Sequence, residues 1–506
     1  MVTVALVQRP RGRVAGGWRL AALGLLWLGA GLRLWDLARK PFWVDEAFSV
    51  WIAGQPVGAL LTWVGAIDLH PPLYYLLLAA WQTVGTDEFV VRWLSAALGL
   101  LSLALAASLV GRLAGPPVAL ATLLLCATAP HLVRHSQEAR MYALSVAVAL
   151  MVLNLWARAV ASPQNRLLWA AHSLALAGAF LTHHVLLSLA GAEALVLLRW
   201  GRAVRRPALV SLAGALVLWS PWAPAFFHQL RVVSADFWLE SPQAARAPTA
   251  VLAFLVGEAL PAVLPAALSL ALAAALGVLA LWGARRLGRW GLWLGLVVGL
   301  PVGVELAVSL VRPLLLLRTL VFTLPVVLMG LSAGLLARPG RRLRGLVLGG
   351  LLAAQTAGLL QYYQTQPPEG WPEVAAFIAA NWQAGDLLLF NAAWTQIPFD
   401  YYFRRTGLDA DRRGLPVDIF AAGLREPKVT PADLERLDGL LQGRRRVWLV
   451  LSHDWYTDPG RLSQAALATR GQPVLTRTTA GVEVVLYRLW GPDQHPGGGG
   501  ASARLQ

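Results

Sequence analysis

Apolar residues run unbroken over long stretches of the first 362 positions, interrupted by short arginine-bearing connections and not by the alternation of half-buried strands. A helix needs about 20 such residues to cross the hydrocarbon core, and runs of about 10 to 14 are more often interfacial or re-entrant. Spans are therefore expected near 18–38, 89–111, 117–134, 140–158, 167–182, 184–199, 207–225, 262–282, 290–310, 314–336 and 345–362, eleven in all. The run from Pro71 to Val84 is short and reads as a juxtamembrane helix, with proline tolerated in its first turn and Asp68 as its cap. The run from Trp18 to Trp35 is long for a signal peptide and no small-residue cleavage site follows it, so it is expected to stay as the first span.

Beyond Gln366 the pattern changes. Helical runs such as Pro372 to Gln383 alternate with strand-like runs at Asp386 to Asn391, Arg446 to Ser452 and Val482 to Leu489. The expected division is an amino-terminal cytoplasmic segment at 1–17, a transmembrane catalytic bundle at 18–362, a small α/β domain at 366–490 and a disordered tail at 491–506 that contains a four-glycine run. There is no internal repeat, no glycine-rich phosphate loop and no dinucleotide-binding fingerprint.

Composition turns this pattern into a class. The 506 residues are 57% hydrophobic and 14% charged, with a mean hydropathy of +0.57, whereas soluble domains carry about 25% charged residues. The chain reads as a mainly α, polytopic membrane protein. Its net charge of +16 is almost all arginine, with Lys40 and Lys428 the only lysines. These arginines sit in short inter-helix loops, which points to topology and away from nucleic acid. With the amino terminus inside, the connections around Arg112, Arg158, Arg199, Arg285 and Arg338 are all cytoplasmic and positive. If Pro71 to Val84 spanned the membrane, every later loop would invert. Cys126 is the single cysteine, so no intramolecular disulfide and no cysteine metal cluster can form.

The same orientation places the remaining polar chemistry on the outer face, together with the carboxy-terminal domain. Lys40-Pro-Phe-Trp-Val-Asp45-Glu46-Ala-Phe-Ser49 follows the first span as an aromatic loop, and charged residues at the mouth of a helix bundle are functional candidates. Adjacent carboxylates point apart. Asp45 is taken as the reactive group and Glu46 as its support; partial burial against Phe42, Trp43 and Phe48 would suit Asp45 to act as a general base. A solvated loop pair is the plainer alternative.

Asp68-Leu-His70-Pro71-Pro72-Leu-Tyr74-Tyr75 forms a rigid turn that brings His70 and Tyr74 to headgroup depth, although tyrosines are common there for structural reasons. In Arg134-His135-Ser136-Gln137-Glu138-Ala-Arg140-Met-Tyr142, Glu138 has the spacing of a surface ion pair with Arg134. Arg140 faces another side, and an arginine fork suits a phosphate. Arg318 is either a snorkelling side chain or a second cation for the same anion. His183 and His184 lack a third ligand at a recognised spacing, so no metal site is assigned, and a divalent ion is not excluded.

Taken in order, Trp43-Val-Asp45-Glu46, Asp68-Leu-His70-Pro71-Pro72-Leu-Tyr74-Tyr75 and Glu138-Ala-Arg140-Met-Tyr142 resemble the family 39 membrane glycosyltransferases. These include the protein mannosyltransferase-like and aminoarabinose transferase-like enzymes of the GT-C fold; the resemblance covers about residues 18–330. It implies a polyprenyl-phosphate sugar donor, an outward-facing site and inversion at the anomeric carbon. It also implies that Asp45 is the base, that Arg140 and Arg318 contact the lipid phosphate, and that the acceptor is a glycan, lipid or protein. Ala143 and Leu144 follow Tyr142 where such relatives often carry an aspartate, which leaves a metal ligand there unsupported. The rival reading is a transporter or flippase of a polyprenyl-linked or anionic substrate. Transporters often show inverted repeats and broken paired helices, and no repeat is evident in this chain.

Overall fold

The computed structural model describes residues 14–235, 247–309, 316–338, 340–421 and 427–490. The expected amino-terminal segment is described only from residue 14, and the tail expected to be disordered lies outside the described residues. The chain divides into two compact units, one of residues up to 37 and 69–365, the other of 38–68 and the residues from 366 on.

The first unit is helical. Among the described residues, Glu88–Ala114, Tyr142–Ala161, Arg202–Val232, Ala266–Arg286, Arg289–Ser309 and Arg341–Gln364 are long and apolar enough to cross a membrane. The expected span at 117–134 is broken: Pro116–Thr128 and Pro130–Ser136 meet at a bend of 61°. Arg166–Phe180, Leu187–Val196 and Leu324–Ala337 stand at expected spans but are short, with 15, 10 and 14 residues. Of the eleven expected spans, six correspond to these long helices, one to the bent pair, three to the shorter helices, and the first, at 18–38, to the 21-residue first helix Val14–Leu34. Tyr142–Ala161 is buried over most of its length, with Glu88–Ala114 and Arg166–Phe180 packed against it.

The bend has a local cause and a local remedy. Pro130 has no N–H to continue the helix, so carbonyls of the preceding turn lose their partners. Buried Arg33 replaces them, donating to Cys126 O at 3.3 Å and Ala127 O at 3.2 Å. Gln137 returns the service, its Nε2 donating to Arg33 O at 3.0 Å and Trp35 O at 2.7 Å. The turn between Ser136 and Tyr142 is thereby fixed to the end of the first helix.

The second unit holds a five-stranded sheet in the order β2-β1-β3-β5-β4, with β1 Leu387–Phe390, β2 Asp411–Gly414, β3 Arg446–Leu451, β4 Gly471–Thr479 and β5 Val482–Leu489. β1 pairs parallel with β2 and β3, and β5 runs antiparallel to β3 and β4. The three strands read from the sequence are β1, β3 and β5; β2 and β4 carry too many exposed polar residues for their pattern to show. Leu388, Phe390, Trp448 and Val450 face a core with Trp371 and Ile378, while Leu387, Leu389, Val447 and Leu449 face one with Leu437 and Leu467. Helices on both faces explain why β1 is apolar throughout and β3 is apolar after Arg446.

Residues 38–68, expected as part of the helix bundle, fold with this sheet unit. They form the helices Val44–Ala53 and Val57–Ile67. Val44–Ala53 packs against Gln396–Phe403; the Phe42 N–H donates to Tyr402 Oη at 2.7 Å, and the Phe42 ring meets Tyr401 edge-on at 5.1 Å. Asp68 follows Val57–Ile67 as its end residue and does not cap the juxtamembrane helix, Leu73–Trp81, which starts from Pro72 without a side-chain cap.

Candidate active site

The candidate residues form two groups, one in each compact unit. In the helical unit the turn before Leu73–Trp81 is anchored by Leu73 N–H donating to Leu181 O at 2.9 Å, so His70 lies beside the end of Arg166–Phe180. The His70 and His183 rings meet at 5.3 Å. Arg140, buried, reaches the same place, with Nη2 3.4 Å from His70 Nδ1 and Nη1 donating to Tyr75 Oη at 3.3 Å. Arg318 and Arg140 both act electrostatically on the His183 ring. His183 Nδ1 accepts the Val185 N–H at 3.3 Å, so the ring proton sits on Nε2. That atom is buried and makes no hydrogen bond among the described residues.

The Arg140 guanidinium, a histidine N–H and a tyrosine hydroxyl thus converge, with the charge of Arg318 acting on the same histidine. Such a set of donors is suited to an anion with several oxygens.

The expected candidates divide by role in this unit. Tyr74, one residue from Tyr75, turns the other way, its hydroxyl 3.2 Å from Ser95 Oγ. Tyr75 is the tyrosine that meets Arg140, and sequence alone could not distinguish the two. Glu138 is held by Arg134 Nε at 3.0 Å and by His135 Nδ1 at 2.8 Å, which fastens the turn that carries Arg140. The Tyr142 ring packs on His135 at 4.8 Å.

In the sheet unit, Asp45 and Glu46 occupy the first turn of Val44–Ala53 and not a loop. Trp43 is extended before the helix, and acidic side chains are favoured where the helix dipole is positive. Glu46 is buried and Asp45 half-buried. The amino end of this helix meets a group missed in the sequence: the Val44 N–H donates to Glu369 Oε2 at 2.9 Å, and Trp371 Nε1 donates to the same oxygen. Burial, with added repulsion from Asp45 and Glu46, pushes the Glu369 carboxyl up to about 7 against the pull of these two hydrogen bonds. His453 Nε2 lies 3.8 Å from Glu369 Oε1, and burial pushes the His453 imidazole below its ordinary value, opposed by Asp45 and Asp454.

The available signal for Glu369 was a lone carboxylate in Pro-Pro-Glu369-Gly-Trp371, an aromatic setting like that of Asp45. Asp68 lies buried in this unit. Among the described residues no three His, Cys, Asp or Glu side chains are grouped as a metal site requires.

Residues 69–224 match the family model for dolichyl-phosphate-mannose-protein mannosyltransferase. His70, Arg140 and His183 fall inside the match; Asp45 and Glu46 precede it and Arg318 follows it. No curated protein matches the chain in sequence. Among solved structures, apo ArnT from Cupriavidus metallidurans is similar over 94% of this chain and 98% of its own, with a TM-score of 0.65 and 15% identity. The same protein bound to undecaprenyl phosphate gives 93%, 98%, 0.62 and 16%. The archaeal oligosaccharyltransferase AglB from Archaeoglobus fulgidus, in complex with an inhibitory peptide and a dolichol-phosphate, is similar over 93% of this chain and 74% of its own, with a TM-score of 0.54 and 12% identity. The chain therefore has the GT-C fold, a multi-pass membrane helix bundle with a small carboxy-terminal sheet region.

Proposed function

We propose that this protein is an inverting glycosyltransferase that moves a sugar from a polyprenyl-phosphate donor to an acceptor hydroxyl at the outer face of the membrane. The observation that carries the reading is the convergence of Arg140, His183 and Tyr75 within the segment of mannosyltransferase likeness, with Arg318 acting on His183 from far beyond that segment. Its fold relatives support the donor class, since ArnT has been captured with undecaprenyl phosphate and AglB with a dolichol-phosphate.

The chemistry assigns one task to each group. The acceptor oxygen forms a bond to the anomeric carbon while the bond from that carbon to the phosphate oxygen breaks, inverting the centre. The acceptor proton passes to the Asp45 carboxylate. The lipid phosphate leaves as a stable anion and needs no general acid; Arg140, Arg318 and the His183 N–H stabilise its growing charge.

Purified protein in nanodiscs, given radiolabelled polyprenyl-phosphate sugars, should transfer label to an acceptor. Asp45→Asn preserves shape but cannot accept the proton, so turnover should fall by about two to four orders of magnitude with donor binding retained. Turnover near that of the unaltered protein would remove Asp45 from the role.

A further inference from the structure

The carboxy-terminal sheet has no part in the reaction as assigned above, yet its loops converge on the helix that carries Asp45. The Gly370 N–H donates to Ala480 O at 2.8 Å in the turn between β4 and β5. Gly481 in that turn has φ +63°, and a Cβ there would come within 2.5 Å of Pro368 O, so only glycine lets the Pro368–Gly370 segment lie this close. At the end of β3, Ser452 Oγ donates to Gly481 O at 3.0 Å, and His453 follows in a left-handed conformation. Two loops of the sheet thus present Glu369 and His453 together. In open sheets of this kind, the carboxyl ends of parallel strands such as β1 and β3 are where functional groups gather.

We propose that Glu369, backed by His453, is a positioning residue for Asp45: its carboxylate holds the first turn of Val44–Ala53 by the Val44 N–H, and its charge governs how firmly that turn presents Asp45. The inference rests on Asp45 being the base. The groups that face Glu369 are Asp45 and Glu46 from the Val44–Ala53 helix, Trp371 from its own segment and His453 after β3, with Asp454 acting on His453. Glu369 is protonated below about pH 7 and anionic above it. An anion at 369 accepts the Val44 N–H more strongly and so fixes the helix turn that presents Asp45 more firmly. Transfer should therefore quicken as pH rises through 7.

Glu369→Gln keeps an oxygen for Val44 N–H and Trp371 Nε1 but cannot ionise. Its turnover should lose the inflection near pH 7 and fall about three- to tenfold at pH 8, with KM for the donor little changed. Glu369→Ala, which also loses both hydrogen bonds, should be slower at every pH. An inflection near pH 7 that survives in Glu369→Gln would overturn the proposal.

A second measurement needs no turnover. Infrared difference spectra of the full-length protein, with Glu369→Gln as the subtraction, isolate the carboxylic-acid carbonyl band of Glu369. Asp45→Asn removes a neighbouring negative charge, so that band should titrate about one pH unit lower. An unmoved midpoint would show that the two carboxyls are not coupled. If no donor supports transfer yet the midpoint moves, the coupling stands and the glycosyltransferase reading fails.

Discussion

Arg140 makes its case through its surroundings more than through its charge. Its guanidinium is buried and spans the Tyr75 hydroxyl and the His70 ring, positions from which one fork can meet two oxygens of an anion. Arg318 acts electrostatically on the same His183 ring from a segment far along the chain. Losing a charge-assisted hydrogen bond costs about 1.5 to 3 kcal/mol, so Arg140→Ala or Arg318→Ala should weaken donor binding by roughly ten- to a hundredfold. Residues that grip one anion are coupled, so donor affinity of the double variant should depart from the sum of the singles. Additive singles with unchanged affinity would return Arg318 to snorkelling and Arg140 to a structural tie.

Among the elements, the helices Ala266–Arg286 and Leu324–Ala337 lie in close contact. Gly283 lies against Gly330 and Gly334, and a Cβ at Gly283 would stand 2.0 Å from Gly330 O and 2.3 Å from Gly334 N. Both neighbours are backbone, so the helices must separate to make room. Small residues at such crossings let membrane helices pack by close van der Waals contact, because lipid tails supply little hydrophobic drive between them. Gly283→Ala should therefore destabilise the fold by about 1 to 3 kcal/mol, read as an earlier loss of monodisperse protein in a thermal size-exclusion series. Gly295→Ala, on an open face with nothing within 4 Å, is the control and should match the unaltered protein. Equal midpoints for both would mean the two helices yield without cost.

For the whole molecule, orientation decides whether the proposed reaction has its donor, since that reaction draws a lipid-linked sugar from one side of the membrane. With the arginine-bearing loops around Arg112, Arg199, Arg285 and Arg338 taken as cytoplasmic, the sequence pattern predicts that the carboxy-terminal domain lies on the outer face. Alkaline phosphatase fused after Gly370 should be active and the same enzyme fused after Arg342 inactive. The opposite pattern would put the carboxy-terminal domain inside and move the proposed site away from the outer face.

The sequence by itself determined the membrane class, the helical bundle, the change to an α/β pattern beyond Gln366 and three of the five strands, because burial and lipid exposure write periodic patterns directly into residue order. It also marked His70, Arg140, His183 and Arg318, since polar side chains are costly at membrane depth and so stand out. Three things were decided only by tertiary structure. The bend at Pro130 is stabilised by Arg33, a partner more than 90 positions away. Tyr75, not Tyr74, meets Arg140, because helix packing chooses which of two adjacent rings turns inward. The Asp45 helix folds with the sheet unit and is held at its amino end by Glu369, a pairing across 325 positions. Such pairings depend on where the chain returns in space, and no local spacing or hydrophobic period records that return.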